Sequence, residues 1–108
     1  MAQNFRRYTS NNVGTSAATI FTANSYDTIV GLSVSNVATS QIVISVYIND
    51  GSNDIYLVKD APVPVGAALQ VLDGGAKVVV QNSDALKVIS DTASSADVWV
   101  SAVDAIST

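Results

Sequence analysis

The residues best placed for chemistry lie in YINDGSNDIY, from Tyr47 to Tyr56, where Asp50, Ser52 and Asp54 alternate. Oxygen-bearing side chains at every second position resemble the opening of a calcium loop, because calcium gathers roughly six to eight oxygen ligands. The rest of that loop is missing. Its glycine and its closing acid would fall where the chain has Ile55 and Ala61. Asp50-Gly51 between two alternating apolar runs is instead a strong hairpin signal, so the stretch reads as a bend between strands.

Two further sets of reactive groups give the same answer. Asp91 and Asp97 bracket DTASSAD, a run of small polar residues typical of a surface connection. Catalysis by paired carboxylates needs burial, convergence and usually aromatic sugar platforms, none of which this run supplies. Lys77 and Lys87 sit in alternating segments where an outward charge aids solubility, and a Ser-Lys nucleophile would need a desolvated lysine. Histidine and cysteine are both absent, which removes the commonest general base, thiolate chemistry and disulfides. The reading is a non-enzyme with no catalytic residue, no metal ligand and no cofactor.

The elements that would carry these residues are strands. All nine acidic residues are aspartate, a residue of caps and turns, while glutamate, which favours helices, does not occur. Val, Ile and Thr are abundant. In residues 41–49, Ile42, Ile44, Val46 and Ile48 share one face, the period-two pattern of a half-buried strand. Similar patterns predict strands at residues 19–22, 28–36, 54–59, 67–72, 77–81, 85–90 and 97–103. Bends are marked by Asp50-Gly51, Asp73-Gly74-Gly75 and Asn82-Ser83-Asp84. Pro62 and Pro64 belong in a connection or at a sheet edge, since neither can donate to a ladder. The expected fold is all-β: a single-domain antiparallel β-sandwich, jelly-roll or Ig-like, of about eight strands. Residues 17–108 would form the sandwich and residues 1–16 an extended N-terminal arm.

Composition bears on partners. Only 13% of residues are charged and 48% are hydrophobic, against roughly 25% charged in ordinary soluble domains. Apolar surface that a chain of this size does not hide tends to become an interface, which predicts a homo-oligomer. A trimer is one way of closing such faces around an axis. The net charge of −4 argues against nucleic acid. No apolar run is long enough for a membrane span, and the N-terminus lacks the apolar stretch of a signal peptide, so assembly in cytoplasm is expected.

The interface candidates are Phe5, Arg6, Arg7, Tyr8 and Trp99, residue types that dominate binding hot spots. The first four stand in a polar, aperiodic segment that alone would be either a loose tail or an arm folding on a neighbouring subunit. Trp99 alternates with Val98 and Val100. Either the valines are core and Trp99 faces out, or the reverse.

From Ala17 to Ile106 the chain resembles small virion proteins of tailed bacteriophages, marine and cyanobacterial ones above all. The likeness is carried by GLSVSN, LVKDAPVPVG, LQVLDGGAKVVVQNSDALKV and the closing DVWVSAV strand. It implies a virion structural component with other virion proteins, such as the major capsid protein, as partners. Head decoration leads among the placements it allows; a neck, tail, baseplate or fibre-base position is the nearest alternative. A stand-alone calcium- or carbohydrate-binding sandwich is the rival from another class.

Overall fold

The computed structural model describes residues 4–23, 26–72 and 77–104. These form nine strands: β1 (Asn4–Val13), β2 (Ala18–Thr22), β3 (Asp27–Asn36), β4 (Ile42–Asn49), β5 (Asp54–Val63), β6 (Ala68–Leu72), β7 (Val78–Val80), β8 (Ala85–Ser90) and β9 (Ala96–Asp104). All pairings are antiparallel. One sheet runs β1-β9-β3-β6, with β7 also on β3, and the other runs β2-β8-β4-β5.

β6 and β7 together occupy one position. Leu72 to Ala68 pair with β3 from Leu32 to Ser35, and Val80 to Val78 pair with it from Asp27 to Ile29. They lie end to end along the side of β3 that β9 does not use. Eight strand positions remain, and the first pairs with the last, the second with the next to last, the third with the sixth, and the fourth with the fifth. One long hairpin wound on itself gives that order, which is a jelly roll and not the Ig arrangement.

The core sits between the two inner faces. Ile29, Leu32 and Val34 from β3, Ile42, Ile44 and Val46 from β4, Val88 from β8 and Val100 from β9 are wholly or almost wholly buried. Most follow from alternation, Ile29 and Leu32 being separated by a register shift: in β8, Leu86, Val88 and Ser90 turn inward while Ala85, Lys87 and Ile89 turn outward and are half-buried. Burying one such aliphatic side chain contributes on the order of 1.5–3 kcal/mol before ordering costs.

Asn36, at the end of β3, fastens one sheet to the other. Its amide nitrogen donates to the carbonyls of Ser40 and Val63, both at 2.9 Å, and its side-chain oxygen accepts from the Ala38 N–H at 2.8 Å. A buried amide is tolerated because nearly all of its capacity is used.

Two features of the sequence reading change. The strand read as ending at residue 59 continues to Val63, and Pro62 lies within it. β5 is the edge of its sheet, where a missing N–H costs no ladder bond. The larger change concerns the N-terminal arm. From Asn4 to Val13 the chain is not free of the body but lies against β9, with Phe5 opposite Val103 and Tyr8 opposite Val100. Polar side chains hid the period of two: Arg7 and Thr9 share the outer face with Phe5, while Tyr8 turns inward and stacks on Phe21 of β2, centroids 4.3 Å apart and rings 10° from parallel. That stack closes one flank of the sandwich. Met1, Ala2 and Gln3 of the predicted arm, and the bend at Asp73-Gly74-Gly75, lie outside the described residues.

Candidate assembly surface

The outer face of the β1-β9-β3 sheet holds most of the residues singled out from sequence. Register places Thr9, Trp99 and Ser33 in one cross-strand row and Arg7, Ser101 and Gly31 in the next. A third row, Phe5, Val103, Thr28 and Val79, crosses all the strands to β7. Trp99 is 52% exposed while Val98 and Val100 are buried, so the valines are core and the indole faces out. Phe5 is 84% and Val79 63% exposed on the same face. Apolar side chains this wet are uncommon on a lone domain when they gather on one surface.

The cations of β1 have different surroundings. The Arg7 guanidinium lies over the Trp99 ring, 5.6 Å from its centroid, a geometry that holds the indole upright at a small energetic gain. Arg6 points to the other face and pairs with Asp104 at 3.2 Å. Burial, and then the nearby Asp104 and Asp27 carboxylates, push the Tyr8 hydroxyl above its ordinary pKa, so it stays neutral. Beside Trp99 the face dips into a shallow groove of about 610 Å³, lined by Arg7, Thr9, Ser33, Ser35, Asp97 and Trp99.

The aspartates suspected of metal binding or catalysis are used to build turns. At the β4–β5 hairpin, the Asp50 carboxylate accepts from the N–H groups of Ser52 at 3.0 Å and Asn53 at 2.8 Å. Asn49 accepts from the Gly51 N–H at 2.9 Å and donates to Asp54 at 2.7 Å. Gly51 takes a φ of 100°, open to glycine and strained for other residues. Asp91 accepts from the Val43 N–H and the Thr92 hydroxyl, both at 3.0 Å, whereas Asp97 accepts from the Asn12 N–H at 3.0 Å. The DTASSAD acids thus serve different sheets and do not converge. Asp60 and Asp91 border a dip of about 160 Å³ beside Ser45. Among the described residues no group of three or more His, Cys, Asp or Glu could hold a metal ion. Nor is any helix among them long and apolar enough to cross a membrane.

These turn bonds set an acid response. Hydrogen bonds from Asn53 and Ser52 hold the Asp50 carboxyl below its ordinary pKa, and those from Val43 and Thr92 do the same for Asp91. A carboxyl whose pKa is lower folded than unfolded adds stability above the unfolded value and loses it as pH falls through the folded one. Asp91→Asn is therefore expected to destabilise the protein at neutral pH and to make little difference once both carboxyl forms are protonated. Urea titrations of the two proteins at neutral pH and below the carboxylate range check this; an equal gap at both pH values would contradict it.

No protein-family model and no curated protein sequence matches the chain. Among solved structures, a subunit of Bacillus endospore appendages, described as a family of disulfide-linked pili, shares the fold at a TM-score of 0.54. Its identity is 14% over 98% of this chain and 88% of that one. Two structures of a pentameric capsid protein from metagenomic phage sequences align more distantly, at TM-scores of 0.44 and 0.43 and 20% identity. They cover 93% of this chain, which spans 59% and 60% of theirs. At these identities the likeness concerns the fold alone.

Proposed function

We propose that the chain is a non-enzymatic structural subunit of a virion, acting as a head decoration or cement protein that assembles through its exposed apolar strand faces. The observation carrying this reading is that Phe5, Val79 and Trp99 stand exposed on one sheet face, Trp99 two cross-strand rows from Phe5, with no catalytic constellation on that face. Trp and Arg, both present on this face, are residue types on which interfaces turn. The phage-like runs GLSVSN, KDAPVP and LQVLDGGAKVVVQNSDALKV support the virion setting.

The mechanism is physical. Each copy buries apolar area worth about 25 cal/mol per Å² before entropy is subtracted, and repetition turns modest contacts into a lasting layer. The appendage subunit that shares the fold belongs to disulfide-linked pili; with no cysteine in its 108 residues, this chain holds its neighbours without disulfides. Partners in this reading are further copies and other virion proteins, including the major capsid protein. Particles assembled with and without the chain test the placement by electron cryo-microscopy. The expected difference is a layer of density outside the capsid lattice, and density confined to the neck, tail or baseplate would move the protein there.

A further inference from the structure

We infer that copies of this chain join head to tail, the β1 edge of one copy adding to the first half of the β5 edge of the next. The inference rests on the self-assembling reading above and adds an edge-to-edge contact to its face contacts. Unpaired sheet edges are templates for strand addition, and folded proteins guard them with short strands, bulges, proline or charge.

The four edge positions of this sandwich are guarded unequally. β2 has five residues and a register shift between Thr19 and Phe21. β6 and β7 split the opposite edge into pieces of five and three residues. β5 has ten residues. Its second half is disrupted by Asp60 at a φ of 54° and by Pro62. Residues 54–56 precede both, and also a register shift between Tyr56 and Val58, and they expose Ile55 and Tyr56. β1, also ten residues, contains no proline, carries only Arg6 and Arg7 as charges, which guard it against a like edge but not an acidic one, and keeps unbroken register with β9 from Asn4 to Ser10. Two stretches are therefore open, one on β1 and one on β5.

They lie on opposite flanks. β1 neighbours β2 along one side of the sandwich and β5 neighbours β6 along the other. Their charges are opposite too. β1 carries Arg6 and Arg7 and no acid, which makes +2, whereas β5 carries Asp54 and Asp60 against Lys59, which makes −1, with Asp50 in the turn before it. Arg6 shares part of its charge with Asp104, but its side chain stays 55% exposed. Pairing β1 with a second β1 would set four arginines along one seam. Joining β1 to β5 sets them against aspartates and brings Phe5 toward Ile55 and Tyr56. An interface between two different patches on opposite flanks is heterologous, so it closes into a ring or runs on as a filament and cannot stop at a two-fold dimer.

The absence of native cysteine makes a direct test available. Phe5→Cys and Ile55→Cys chains of different tagged mass are mixed and treated with a bis-maleimide long enough to span adjacent registers. The expected product is the mixed pair, several-fold over either self-pair, and less of it at high salt. In a second arm, Arg7→Asp lowers the association seen by light scattering, and adding Asp54→Arg to the same chain restores it. Predominant Phe5→Cys self-pairs, or an Arg7→Asp chain that associates as well as wild type, would overturn the inference while leaving self-assembly standing. A wild-type chain that stays monomeric would remove the underlying reading as well.

Discussion

Replacing Ile44 with alanine is expected to lower the free energy of unfolding by about 2–5 kcal/mol, the range for deleting a buried aliphatic side chain and leaving a cavity. Ile44 is 0% exposed, stands at the middle of β4 and faces Ser90 of β8 and Ala61 of β5 across its own sheet. β8 keeps unbroken register beside it, so the site has little freedom to collapse. With roughly 4 °C lost per kcal/mol in a domain of this size, the melting temperature should fall by on the order of 10–20 °C. Thermal unfolding followed by circular dichroism checks this. A fall of only a degree or two would mean that the two sheets do not pack as described.

Asn36→Ala should cost nearly as much for a different reason. The substitution leaves the Val63 and Ser40 carbonyls and the Ala38 N–H without their partner. A buried group left unsatisfied costs about 1–3 kcal/mol, and water reaches the Ser40 end, so a total of about 3 kcal/mol is expected. Asn36→Asp keeps the acceptor for Ala38 but cannot donate to Val63, and in its ionised form it sets a charge against a carbonyl. It should therefore also destabilise at neutral pH and recover part of the loss as pH falls and the carboxyl protonates. Urea unfolding of both variants across pH separates a lost hydrogen-bond clasp from a simple packing defect, for which Asn36→Asp would show no recovery in acid.

The fold was legible in the sequence wherever one face of a strand is apolar. Ile42, Ile44, Val46 and Ile48 announce β4 because their alternate positions meet the core, and Asp50-Gly51 announces the hairpin because its backbone demands are local. β1 was not legible. Its inward residues are Arg6, Tyr8 and Ser10, only one of which is a core type, and its pairing depends on β9 at the far end of the chain. A strand held by a distant ladder and one aromatic stack leaves no hydrophobic period to read. The Asn36 clasp was hidden for a related reason, since its partners are fixed by the fold and not by spacing.

The candidate surface divides in the same way. Residue type alone singled out Phe5, Arg6, Arg7, Tyr8 and Trp99, but it could not say which face each would take. Strand register does: Phe5, Arg7 and Trp99 share the outer face, Tyr8 turns in to Phe21, and Arg6 reaches Asp104. Val79 and the first half of β5 gave no sequence signal as a surface, because their exposure follows from lying at sheet edges.

The claim on which function depends is that this chain works in company. Size-exclusion chromatography with light scattering at micromolar concentration measures it directly. The expected mass is a multiple of 11.2 kDa that falls when Phe5 and Trp99 are both changed to serine. A sharp peak at 11.2 kDa, unchanged on concentration, would contradict the account.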